Sequence, residues 1–102
     1  MNTLTLSDIL DDLQNADHAL RRFEQRYWVS TTQFYELYSE GLLDDGEHAE
    51  DFSEWAGYYK LKLKREKALE ELSTQRVTQL RNQAVAGRLQ LAPAEPMLHI
   101  SS

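Results

Sequence analysis

The chain has 102 residues, enough for one small domain with a limited core. Hydrophobic residues make up 41% and charged residues 27%, which excludes wholesale disorder, and no apolar run approaches the roughly 20 residues a membrane-spanning helix needs. A net charge of −6 opposes nonspecific phosphate binding and favours a basic partner, and the absence of cysteine excludes disulfide scaffolds and thiolate metal sites.

The opening run Met-Asn-Thr-Leu-Thr-Leu-Ser-Asp has no basic region followed by a long apolar stretch, so it does not read as a secretory leader. With no cysteine, the expected location is cytoplasmic. A first helix is expected over residues 8–27, with Ser7 as its N-cap and Asp8, Asp11 and Asp12 near the positive end of its dipole. Leu6, Ile9, Leu13, Ala16, Leu20, Phe23 and Tyr27 alternate in steps of three and four, the spacing of one apolar helical stripe. A short helix over 31–40 follows. Ser30 and Gln33 match the capping-box pattern, Val29 and Phe34 occupy the staple positions, and Gly41 suits the left-handed residue that ends it. Residues 41–50 form an acidic connection with Asp45-Gly46 as a turn dipeptide.

The third expected helix is the longest, residues 51–86, roughly 50 Å against roughly 30 Å for the first. Phe52, Trp55, Ala56, Tyr59 and Leu63 lie on one side of it, and Tyr58, Leu61, Ala68, Leu69 and Leu72 roughly opposite, with Glu54, Arg65 and Arg76 interrupting the second stripe. A helix apolar on two sides touches two neighbours: the first helix and a subunit, another protein or the chain's own tail. After Leu72 the pattern turns polar, with only Val77, Leu80 and Ala84 continuing. Gly87 is a plausible stop, and residues 87–102, with Pro93 and Pro96, form an extended tail carrying Leu89, Leu91, Met97, Leu98 and Ile100. The expected fold is therefore all-α: an antiparallel helical hairpin in a three-helix arrangement over residues 1–86, with one long overhanging C-terminal helix and an apolar tail.

The sequence offers little chemistry. The acids Asp44, Asp45, Glu47, Glu50 and Asp51 around His48 do not fit a calcium loop, and no histidine pair stands at zinc spacing. A metal-dependent hydrolase built on these acids is the weakest of three readings. His18, His48 and His99 are scattered with no nucleophile in register. The basic run Lys60, Lys62, Lys64, Arg65 and Lys67 spreads over more than half a helix circumference among acids, so no nucleic-acid face is expected. No catalytic, cofactor-binding or metal-binding residue is expected, and neither is a membrane contact. Gly57, inside the long helix, either admits the close approach of another backbone or is simply tolerated there.

Binding is the stronger expectation. Trp28, Tyr35 and Tyr58 point away from the inward stripes, and aromatic residues of this kind are enriched at binding hot spots. Together with Leu61, Leu69, Leu72, Val77, Leu80, Leu89 and Leu91 they form the expected partner surface, by helix-in-groove packing and tail wrapping.

Phe23-Glu24-Gln25-Arg26-Tyr27, the capped segment Ser30 to Tyr35, the turn Gly41 to Asp45, the entry Asp51-Phe52-Ser53-Glu54-Trp55-Ala56-Gly57-Tyr58-Tyr59 and the run Leu69-Glu70-Glu71-Leu72 together resemble small helical bacterial and archaeal proteins, the antitoxin halves of type II toxin–antitoxin gene pairs. The resemblance covers about half the chain and rests on caps and core aromatics. It departs at Trp28, where the pattern has glycine, and the tail after Leu72 has no counterpart. It implies a protein that binds and neutralises a basic cognate toxin. The alternative is a homodimeric helical structural or adaptor protein of the coiled-coil type, in which two overhangs cover each other.

Overall fold

A computed structural model describes residues 3–43, 46–93 and 100–101. Asp44, Asp45, Met97, Leu98 and His99 of the readings above lie outside these described residues. In chain order the elements are β1 (Thr3–Leu4), α1 (Leu6–Tyr27), α2 (Thr31–Ser39), α3 (Ala49–Asn82) and β2 (Ile100–Ser101). No helix is long and apolar enough to cross a membrane among the described residues.

Helix α1 starts earlier than the Ser7 cap predicts. The Thr5 hydroxyl accepts the Asp8 amide at 3.1 Å, and the Asp8 carboxylate accepts the Thr5 amide at 3.1 Å. This reciprocal box satisfies two otherwise orphaned donors and lets the apolar stripe begin inside the helix at Leu6. The hydrogen bonds from Thr5, backbone foremost, hold the Asp8 carboxyl below its ordinary range. At the other end Trp28 closes α1 in the left-handed conformation, φ 61° and ψ 34°, with its amide on the Glu24 carbonyl at 2.8 Å.

Only half of the expected box forms at α2. The Ser30 hydroxyl accepts the Gln33 amide, but it also donates to the Gln33 side chain, which does not reach back to the Ser30 amide. The exit is as expected: Gly41 sits at φ +70°, its amide bonds the Tyr38 carbonyl, and the Leu42 amide bonds the Leu37 carbonyl, the paired bonds of a Schellman motif.

Helix α3 has Glu50 and Asp51 in its first turn and no side-chain cap. It ends at Asn82, short of the predicted 86, because the chain turns back. Ala86 and Gly87 both have positive φ, and Val85 and Arg88 exchange backbone hydrogen bonds at 3.1 and 3.0 Å, a two-residue reversal of the I′ kind. Downstream the Ala92 carbonyl accepts from Arg76, and β2 pairs antiparallel with β1, Thr3 opposite Ser101. The second neighbour of α3 is thus partly the chain's own tail.

α1 and α3 lie antiparallel and enclose two cores. The proximal one joins Leu20, Phe34, Trp55 and Ala56, and the distal one joins Ile9, Ala68 and Leu72. Between them Arg65 Nε donates to Asp12 at 2.7 Å and Lys62 bridges Asp17 at 3.1 Å. This corrects the two-stripe reading. The α1-facing line of α3 runs Trp55, Lys62, Arg65, Ala68, Leu72: one seam, whose polar centre looks like an interruption when only apolar residues are counted. A line near 3.5 residues per step drifts around a 3.6-residue helix, so its two ends project onto different sides. Gly57 takes the plainer of its two readings, a tolerated glycine, since a Cβ built there meets nothing within 4 Å and no other backbone approaches it.

The molecule is long, 61 × 30 × 22 Å, with a radius of gyration of 18.3 Å against about 13 Å for a compact chain of this size.

Candidate protein-binding surface

Antiparallel pairing leaves α3 without α1 beyond Leu72, because Ile9 opposite it lies in the first turn of α1. The helix runs on through residues 73–82, about 15 Å further. From residue 73 to 93 no side chain is buried; Arg76 and Leu80 are half-buried and the others are exposed. Val77, Val85, Leu89 and Leu91 are apolar and open to solvent, Leu91 by 81%. This segment, hereafter the arm, is the least covered apolar part of the described chain.

The arm also has a charge of its own. It carries Arg76, Arg81 and Arg88, and no acid occurs between Glu71 and Glu95. Arg76 is tied to the Ala92 carbonyl, whereas neither Arg81 nor Arg88 forms an ion pair among the described residues. The opposite end of the molecule, where α2 ends and α3 begins, exposes Glu36, Glu40, Glu47, Glu50 and Glu54 beside the exposed Leu37 and Leu42. The residues expected to bind a partner therefore belong to a chain polarised along its long axis. Composition alone conceals this; the acid-free run after Glu71 was the available signal.

The ten expected contact residues separate into groups. Val77, Leu89 and Leu91 are exposed on the arm with half-buried Leu80 among them. Trp28 is 91% exposed at the far end of the molecule. Tyr35 and Tyr58 are half-buried against the proximal core, Tyr35 with its ring centroid 5.0 Å from that of Tyr59, and Leu61 is half-buried too. Leu72 is 4% exposed and Leu69 packs on the same distal core, so these two hold α1 rather than face a partner. The inward drift of the seam is the reason.

The proximal end holds a linked set of stacked rings and hydrogen bonds. Trp55 stacks on Phe34 with ring centroids 3.9 Å apart and donates its indole N–H to Thr31 at 2.9 Å. The Thr31 amide in turn donates to Glu24 at 2.9 Å. Burial pushes the Glu24 carboxyl up, but the bonds from Thr31 and the adjacent Arg21 together outweigh it and hold the group below its ordinary value. The Tyr27 hydroxyl donates to Asp51 at 2.5 Å; burial first, and that carboxylate second, push its pKa up. These groups cap and orient helices. Tyr58, Leu61, His18, Arg22, Asn15 and Asp12 line an open surface depression rather than an enclosed cavity. Among the described residues no three His, Asp or Glu side chains gather as a metal site would require.

Comparison with protein families, with characterised proteins and with solved structures finds no match for this chain.

Proposed function

We propose that this chain is a non-enzymatic protein-binding module that acts as an antitoxin, holding a small basic toxin along α3 and the segment that follows it. One observation carries the reading: the arm, a stretch of helix and tail with no buried side chain that gathers four exposed apolar residues beyond the two cores. An apolar groove on the toxin would take Val77 and Leu80 as a helix-in-groove contact, with Leu89 of the following tail wrapping beside them. The basic surface of the toxin would face Glu66, Glu70 and Glu71, which are exposed on the body just before the arm. The overall charge of −6 would steer such a partner at long range. In this reading both proteins act in the cytoplasm.

The test is co-expression with the reading frame adjacent to the gene, followed by affinity capture and a growth assay. The expected result is capture of a small basic protein that arrests growth when expressed alone, with capture lost in the Leu80→Asp, Leu89→Asp double variant. Recovery of no such protein, or undiminished neutralisation by that variant, would overturn the reading.

A further inference from the structure

The polarity of the molecule names a second occupant for the arm. We propose that, without another partner, two copies of this chain associate side by side and antiparallel, each laying its arm on the acidic end of the other. The arm offers Arg81 and Arg88 and contains no acid of its own between residues 73 and 93, together with exposed Val77 and Leu89. The opposite end offers exposed Glu36 and Glu40 flanking exposed Leu37 and Leu42. The two ends therefore carry opposite charge and each exposes apolar side chains that the other can cover, the molecule being 61 Å long. Reversing one copy satisfies both ends at once in two equal contacts, which closes a two-fold pair and stops further growth. Pairing arm on arm would instead set arginines against arginines, a like-charge arrangement that association avoids.

The exposed area fits such a pair. The chain exposes 7881 Å², whereas a compact monomer of 11.9 kDa exposes about 5,900 Å². The excess is more than the roughly 800 Å² each partner contributes to a stable interface. The inference rests on the arm being a docking surface, as the proposed function also requires, so toxin and second copy exclude one another there.

Sedimentation of the full-length chain across concentration and salt tests it. The expected result is a monomer–dimer equilibrium that weakens at least tenfold between low and high salt, because the pairing charges are exposed and screened. Arg81→Glu with Arg88→Glu should leave a monomer, and so should Glu36→Lys with Glu40→Lys. An equimolar mixture of the two variants should dimerise again, since in the mixed pair one contact is the wild-type one and the other is restored with its sign exchanged. All four positions are exposed, and an unchanged circular dichroism spectrum and melting temperature establish that each variant is folded. A wild-type chain that stays monomeric at all concentrations overturns the inference, as does undiminished dimerisation of the Glu36→Lys, Glu40→Lys variant, the signature of arm-on-arm pairing. A chain that captures a toxin yet never self-associates removes only this inference. A chain that pairs as described yet captures nothing removes only the proposed function.

Discussion

The indole N–H of Trp55 on α3 reaches the hydroxyl of Thr31 at the start of α2 across 2.9 Å, with both residues buried. Phe34 stacks flat on that indole, and Phe23 and Tyr27 of α1 stack beside it, so one side chain joins all three helices. Thr31→Val keeps the shape and removes the acceptor. The unpaired donor should cost about 1–3 kcal/mol. Thermal denaturation should then show a fall of several degrees, since about 1 kcal/mol moves the midpoint by roughly 4–8 °C in a domain of this size. An unchanged midpoint would mean that the bond does not organise the core.

Arg65 and Asp12 form the polar centre of the α1–α3 seam, with the Arg65 side chain only 15% exposed and Asp12 37%. Asp12→Ala leaves that guanidinium partly buried without its partner. The expected loss is about 1–2 kcal/mol, below the figure for a fully buried pair because Asp12 remains in contact with solvent. Adding Arg65→Met should recover most of the loss, since an apolar pair of similar volume removes the uncompensated charge. Urea unfolding of the two single variants and the double variant measures this, and no recovery in the double variant would contradict the seam described here.

Trp28 holds a left-handed backbone conformation that glycine adopts without strain, and its side chain is almost fully exposed. Trp28→Gly should therefore stabilise the isolated chain by about 1 kcal/mol, the relief at the helix end exceeding the extra entropy of glycine in the unfolded chain. A lower melting temperature for this variant would show that the indole makes a contact that stabilises the fold.

The Glu24 carboxyl is held below its ordinary 4.5. A group whose pKa is lowered on folding contributes stability that is fully present above the unfolded value and lost as pH falls through the folded one. The stability gap between wild type and Glu24→Gln should be constant near neutral pH and close below about pH 4. Tyr27, raised above 10.0, works in the opposite sense, its contribution complete below that value and lost as pH rises through the raised one. Thermal melts across pH check both; a Glu24 gap that survives undiminished at about pH 3 would remove the cap from the account.

Helix α1 could be read almost entirely from its sequence, because its stripe from Leu6 to Tyr27 turns one continuous side toward the rest of the fold, α3 along its length and α2 as well at the proximal end. Its start was misplaced by one plausible cap: Ser7 and Thr5 are both hydroxyl residues, and the reach of Asp8 back to Thr5 decides between them. The all-α hairpin followed from the same periodicity. The seam of α3 was harder, because Lys62 and Arg65 lie in it on α1 carboxylates and an apolar count reads Arg65 as a break. That error placed Leu69 and Leu72 on a partner-facing side, when Ile9 of α1 covers them. The end of α3 depends on the left-handed Ala86, a conformation alanine seldom announces. The arm itself was legible through Val77, Leu80, Leu89 and Leu91, whereas its charge was hidden by the −6 of the whole chain.

The central claim is that α3 has cover from its own chain as far as Leu72 and little beyond it. Amide hydrogen exchange of the dilute, isolated protein tests this most directly. The account predicts that amides of residues 77–82 exchange at least tenfold faster than those of residues 55–72. Equal protection along the whole helix would contradict it.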